Sequence, residues 1–113
     1  MTFVDSSVLI DVIEAQSIWA DWSEQRILMA RARGRLVINL IVYAEISRDF
    51  ADKTLLDAFL SDTGIGIEPL DDHVAFLAAR AHDAYRAAGG QRSAALPDFF
   101  IGAHASEIGR AHV

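Results

Sequence analysis

The chain has 113 residues, of which 52% are apolar, enough to build the core of one domain. Ten basic and sixteen acidic residues give a net charge of −6, which disfavours a protein that binds duplex DNA or a membrane through a broad positive field. The lack of cysteine excludes disulfides, thiolate zinc sites and a cysteine nucleophile. No signal peptide or membrane-spanning apolar run is evident. We therefore expect a single cytoplasmic domain over residues 1–113 with no membrane association.

The first half of the sequence alternates between short β-type runs and helical periods. A strand at Phe3–Val4 stops at Asp5, and one of the two serines that follow is placed to cap the next helix. Apolar residues then recur at helical spacing until Gly34. A second strand is predicted over Leu36–Ile38, followed by a buried helix over Leu40–Ile46.

The second half continues the same alternation. A short helix ending near Gly64 precedes a third strand over Ile65–Ile67. A longer helix capped by Asp71 or Asp72 comes next, and its apolar residues between Val74 and Ala88, including Ala78 and Tyr85, fall on one face. The last predicted elements are a polar loop over Gln91–Ala95, a helix that begins at Pro97-Asp98, and a strand beginning within Arg110–Val113. Strands that alternate with helices favour an α/β fold with a central parallel sheet flanked by helices. In such folds ligands bind beyond the carboxyl ends of the strands.

Three acidic residues are difficult to explain as ordinary surface residues. Asp5 closes the first strand at the sheet edge where ligands bind, and Glu45 lies within the most apolar stretch of the chain. Asp98 begins a helix whose next residues are apolar, so we expect its surroundings to be half buried. Clustered carboxylates raise each other's pKa unless a cation neutralises them. Oxygen ligands alone favour Mg²⁺ or Mn²⁺ over zinc, and the four histidines lack metal-binding spacing.

Each of the three acids also has a purely structural interpretation. Asp5 is placed to cap the first helix, and Asp98 follows a proline in a first helical turn, where a carboxylate interacts favourably with the helix dipole. Glu45 would be explained by an exposed position on an amphipathic helix. The spacing of the residues leaves both the metal site and these structural roles open.

The segments that carry these acids resemble PIN-domain nucleases, particularly the VapC-type toxins of bacterial toxin–antitoxin pairs. Residues 3–11, FVDSSVLID, resemble the opening of that family. Residues 39–46, NLIVYAEI, are similar to its second acidic segment, and residues 96–105, LPDFFIGAHA, to its third. The three segments occur in the family's order across the whole chain, and the resemblance implies a PIN-like fold.

The resemblance implies an endoribonuclease that depends on Mg²⁺ or Mn²⁺ and acts as the toxin of a VapBC-type module. Asp5, Glu45 and Asp98 would be its catalytic, metal-binding carboxylates, and Ser7 would help to hold the site. A water activated by the metal would attack the RNA phosphodiester in line and leave a 5′-phosphate and a 3′-hydroxyl. The implied partners are an RNA substrate, a cognate VapB-type antitoxin and a second copy of the chain in a homodimer.

The sequence departs from the family pattern near its end. The family's fourth acidic residue follows a further strand, whereas this chain stops at Val113, where that strand would begin, and Glu107 does not match the position. We therefore expect a PIN-like fold whose C-terminal strand or strands are cut short, with three carboxylates for one metal. A shortened fold that binds antitoxin or RNA without cleaving it is the alternative. A receiver-type Mg²⁺-binding module is disfavoured because Lys53 is the only lysine.

One basic cluster could contact RNA or a protein partner. It consists of Arg26, Arg31, Arg33 and Arg35. The functional interpretation is contact with RNA phosphate beside the acidic centre, or a surface that faces the antitoxin. The ordinary interpretation is a solvated helix end, where positive charges interact favourably with the helix dipole.

Overall fold

The computed structural model describes residues 1–14, 20–89 and 96–108. The predicted loop at 91–95 and the predicted strand within 110–113 lie outside the described residues. In chain order, the described elements are β1 (Thr2–Phe3), α1 (Ser6–Glu14), α2 (Ala20–Arg33), β2 (Leu36–Ile38), α3 (Leu40–Ile46), a one-turn 3₁₀ helix (Ser47–Asp49), α4 (Lys53–Thr63), β3 (Ile65–Ile67), α5 (Asp72–Ala87) and α6 (Leu96–Ile108).

The strands form a parallel sheet in the order β1-β2-β3, which confirms the predicted α/β architecture. All three residues of the central strand β2 are fully buried, because helices cover the sheet. Val4 continues the pairing past β1 by donating its backbone N–H to the carbonyl of Val37 at 2.9 Å. Because parallel strands share one direction, Asp5 and Asn39 follow the carboxyl ends of neighbouring strands at the same edge.

Side-chain caps explain where several helices begin. Asn39 accepts the backbone N–H of Val42 at the start of α3, and Asp71 caps α5, one of the two positions that the sequence predicts. Helix α4 ends at Thr63, directly before Gly64, near which the sequence predicts the end of this helix. The φ of Gly64 is 72°, a left-handed conformation that glycine adopts without strain. Helix α1 begins at Ser6 itself, so Asp5, rather than either serine, flanks its amino terminus.

Helices α5 and α6 pack against each other, and α6 also contacts α3 and β1. The apolar face predicted for α5 is buried only in its amino-terminal part, at Val74 and Ala78. Further along, Tyr85 remains 39% exposed, because the neighbouring elements that bury Val74 and Ala78 do not cover this turn to the same extent. In the part of the chain that the structure describes, no helix combines the length and apolar character needed to cross a membrane.

Candidate active site

The tertiary structure brings the three singled-out acids into one electrostatic environment. Asp5 follows β1, Glu45 lies in the last turn of α3, and Asp98 lies in the first turn of α6. Helix α3 packs against both α1, which follows Asp5, and α6, which carries Asp98. The charges of Asp98 and Asp5 both act on Glu45 and raise its pKa. The grouping depends on helix packing and not on sequence spacing.

Glu45 is the most constrained of these carboxyl groups. Its pKa is raised above the ordinary value first by burial and then by the negative charges of Asp98 and Asp5, while Ser6 and Arg48 lower it. Its Oε1 atom is buried and has no hydrogen-bond partner. A buried carboxylate oxygen without a partner costs free energy, and two further carboxylates increase that cost. A cation bound at this position would relieve both contributions.

The serine beside the acids is Ser6 and not Ser7. Ser6 is buried, donates a hydrogen bond to Asp5 Oδ1 at 3.3 Å, and also favours the ionised form of Glu45. Ser7 lies at the surface. Helix α1 begins at Ser6, one residue earlier than it would if Ser6 were its cap, and in this helical phase the side chain of Ser7 is exposed to solvent. The two adjacent serines were the available sequence signal, but only the phase of α1 distinguishes them.

Asp98 is exposed, although it has partly buried neighbours. The residues that follow it, Phe99 and Phe100, are partly buried, so the half-buried surroundings that the sequence predicts do not extend to the Asp98 carboxylate itself. Residue 98 lies in the first turn of α6, outside the apolar contacts that bury Ile101 and Ala105 further along the helix. Among the described residues, no three acidic or histidine side chains converge closely enough to form a ready metal-binding group. The three carboxylates are therefore coupled by charge without forming a preassembled ligand set.

A cleft of about 280 Å³ opens beside Glu45. Its lining residues are Ile10, Glu14, Glu45, Arg48 and Asp49. No sequence pattern connects Glu14 with Glu45, because Glu14 ends α1 and α1 meets α3 only in the folded chain. Arg48 carried a weak signal, since it lies three residues after Glu45 and therefore on the same side of a helical turn.

The arginine cluster of the sequence does not gather at this cleft. Arg26, Arg31 and Arg33 belong to α2, and Arg35 directly precedes the amino end of β2, whereas Asp5 follows the carboxyl end of β1. The guanidinium of Arg26 lies over the ring of Trp22, and Arg35 forms an ion pair with Glu68. Whether the cluster contacts RNA or a partner stays a prediction.

A buried polar pair connects the two helices that carry Glu45 and Asp98. Asn39 Nδ2 lies 3.2 Å from His104 Nδ1, and both side chains are buried. Because Asn39 Oδ1 already accepts the N–H of Val42, its Nδ2 atom is the donor, and His104 Nδ1 must accept. This arrangement requires a neutral His104, and burial lowers its pKa below 6.5 against the opposing effect of Glu68 and Asp71.

Replacing Glu45 with Gln is expected to raise the melting temperature of the metal-free protein at neutral pH by about 2–4 °C. The pKa of Glu45 is raised in the folded state, so ionisation of this group costs stability as the pH rises above its ordinary value of 4.5. Thermal melts in EDTA, at pH values from 4.5 to neutral, should show that the wild type loses stability relative to Glu45→Gln as the pH rises. Parallel pH profiles for the two proteins would contradict the prediction.

The fold and the coupled carboxylates together define an α/β domain with an acidic centre beyond the ends of its strands. The family model of the PIN domain matches residues 2–113, so the chain belongs to the PIN-domain family. A search of curated protein sequences gives no match to this chain.

A solved structure supports the same fold. The chain is similar to one in the crystal structure of VapBC2 from Rickettsia felis bound to a DNA fragment from their promoter, with a TM-score of 0.75 and 16% sequence identity. The match covers 98% of this chain and 84% of that chain. Nearly the whole chain therefore superposes on a chain of known structure, and the PIN-like fold predicted from the sequence is confirmed.

Proposed function

We propose that the chain is an endoribonuclease that depends on Mg²⁺ or Mn²⁺ and acts as the toxin of a VapBC-type toxin–antitoxin module. The observation that carries this proposal is the buried, unpartnered Oε1 of Glu45 beside the charges of Asp5 and Asp98. Membership of the PIN family and the likeness to a VapBC2 chain support a nuclease toxin as the class of protein.

The residues present fit a hard divalent cation. Asp5, Glu45 and Asp98 would hold it, because carboxylate oxygens are the ligands that Mg²⁺ and Mn²⁺ prefer and the lone Glu45 oxygen lacks a protein donor. Bound there, the ion would lower the pKa of a water molecule and offset the charge that develops on the phosphate. The proposal needs no side-chain nucleophile, which agrees with the lack of cysteine.

The protein's own contribution is to hold two of the three acids in place. The hydrogen bond from Ser6 to Asp5 restricts that carboxylate, and burial of its Oε1 atom restricts Glu45. Asp98 is exposed and so remains accessible from solvent as substrate approaches. Holding ligands before the substrate arrives reduces the reorganisation required during the reaction.

The direct test is cleavage of RNA by the purified chain with Mg²⁺ or Mn²⁺, compared with the same reaction in EDTA. We expect fragments with 5′-phosphate and 3′-hydroxyl ends only when metal is present. Cleavage of equal extent in EDTA would exclude the proposed chemistry, and fragments with cyclic phosphate ends would indicate a different mechanism.

Binding of Mg²⁺ or Mn²⁺ is also expected to stabilise the fold. At a free metal concentration ten times the Kd, the folded state gains about 1.4 kcal/mol, which corresponds to a rise of about 6 °C in melting temperature. Thermal melts with and without metal would measure the shift, and Glu45→Gln should remove most of it. An equal shift in wild type and variant would place the metal elsewhere.

One observation favours the alternative, a PIN fold that binds antitoxin or RNA without cleaving it. The described residues contain no converged three-ligand group, and Asp98 is exposed rather than enclosed. In that case metal would change neither the RNA nor the melting temperature, while RNA binding would persist. The cleavage and melting experiments therefore separate the two candidates.

The proposed partners are a VapB-type antitoxin and a second copy of the chain, and the proposed location is the cytoplasm. The likeness to a chain of a VapBC complex supports the antitoxin. Several large apolar side chains on the described helices are about half exposed, among them Trp22, Leu28 and Phe76, and they supply contact area for protein partners. Co-expression with a candidate VapB-type antitoxin, followed by size-exclusion chromatography of the chain with and without it, would test both interactions.

A further inference from the structure

Arg48 lies beside the acidic centre and forms no ion pair with the described residues. It lies in the one-turn 3₁₀ helix that follows α3 and lines the same cleft as Glu45. Its side chain is exposed, and its positive charge lowers the pKa of Glu45. Arg48 is therefore close enough to influence the centre and remains open to a ligand from solvent.

Several other basic side chains in the described part of the chain already have partners, while Arg31, Arg33 and Arg86 do not line the cleft beside Glu45. Arg35 pairs with Glu68 and Lys53 with Asp57, while Arg80 lies over the ring of Phe76. Arg48 has no carboxylate within 4.0 Å among the described residues, although Glu14, Glu45 and Asp49 line its cleft. Its guanidinium donors are therefore available to an anion that enters the cleft.

The cleft beside Arg48 is negatively charged, and this determines what a free guanidinium can do there. Three carboxylates line it, so a polyanion such as RNA meets repulsion there unless positive charge is supplied. A metal at the carboxylates would offset part of the repulsion at one phosphate. A guanidinium beside it offers two parallel donors that match the spacing of phosphate oxygens, which an ammonium group cannot do.

We propose that Arg48 is a substrate-binding residue, whose guanidinium binds an RNA phosphate neighbouring the one that is cleaved. This inference rests on the proposed ribonuclease function, because it assigns the cleft to RNA. The competing possibility is that Arg48 acts only through Glu45, as a positioning residue. The two roles differ in measurable ways, since a phosphate contact affects binding and its salt dependence, whereas a positioning role affects turnover.

The test compares Arg48→Ala, Arg48→Lys and wild type with a short fluorescein-labelled single-stranded oligouridylate in Ca²⁺, over a series of salt concentrations. Arg48→Ala should raise the Kd about tenfold and reduce the slope of log K against log salt by about 0.7, the value for one lost contact to single-stranded nucleic acid. Arg48→Lys should keep the slope and weaken binding less. The matched control Arg80→Ala removes the same charge from α5 and should leave both quantities unchanged.

Cleavage assays with cellular RNA complete the test. The KM of Arg48→Ala should rise about tenfold, in line with its Kd, while kcat stays within about threefold. A loss of kcat at unchanged Kd, an unchanged salt slope, or an equal effect of Arg80→Ala would each overturn the assignment. If wild type binds RNA but cuts none, the nuclease proposal fails and the binding data still decide the role of Arg48. If wild type binds no RNA, both proposals fail.

Discussion

Asp5→Asn is expected to reduce metal-dependent RNA cleavage by at least about a hundredfold while the fold survives. The substitution removes the negative charge that Asp5 would contribute to metal binding. It retains the shape of the side chain and the Oδ1 atom that accepts the hydrogen bond from Ser6 at 3.3 Å. Because that contact is preserved, the effect should appear in activity and metal affinity and leave stability close to that of wild type.

The measurement is initial cleavage rate at saturating Mg²⁺, accompanied by a thermal melt of each protein. Asp83→Asn is the matched control, since it removes the same charge from an exposed position on α5 and should leave the rate unchanged. Asp5→Asn should also lose the metal-induced rise in melting temperature, whereas Asp83→Asn should keep it. Full activity in a purified Asp5→Asn protein would mean that Asp5 is not part of the catalytic centre.

Local patterns were sufficient to predict the elements that position the site. β2 and β3 have the predicted bounds, because short β-branched runs between polar residues have few alternatives. α3 also has its predicted bounds despite its β-branched residues, since Asn39 caps it and the helix is buried. Asp5 and Asn39 then lie at one sheet edge as a direct consequence of parallel pairing.

The details of the centre depend on properties that a linear pattern does not contain. The choice between Ser6 and Ser7 depends on where α1 begins, and a shift of one residue rotates a side chain by about 100°. The exposure of Asp98 depends on which turns of α6 the core covers. The proximity of Glu14 to Glu45 depends on packing between α1 and α3. Each of these is set by tertiary contacts between distant segments.

Two groups give the stability of the fold opposing pH dependences. The raised pKa of Glu45 makes the protein more stable as the pH falls toward 4.5. The lowered pKa of His104 has the opposite sign, because the unfolded chain takes up a proton near pH 6.5 more readily than the folded protein, so stability is lost as the pH falls. The wild-type profile is therefore the sum of two partly cancelling effects, which variants at each site would separate.

Asn39→Ala is expected to destabilise the protein by about 2–3 kcal/mol, the sum of a lost helix cap and a buried histidine nitrogen left without its donor. Asn39 is fully buried, and its two polar atoms contact Val42 at the start of α3 and His104 in α6. The loss should lower the melting temperature by about 8–12 °C at neutral pH. Because the pair joins α3 to α6, metal-induced stabilisation should weaken as well.

Asp52→Ala is the matched control, because Asp52 caps α4 through the same kind of bond to Leu55 but is exposed and has no buried partner of this kind. It should cost only about 1 kcal/mol, so the difference between the variants measures the contribution of the Asn39–His104 contact. Asn39→Asp should keep the cap but raise the pKa of His104, since a carboxylate favours the imidazolium. Equal losses in Asn39→Ala and Asp52→Ala would show that the contact with His104 adds nothing to stability and that only the cap matters.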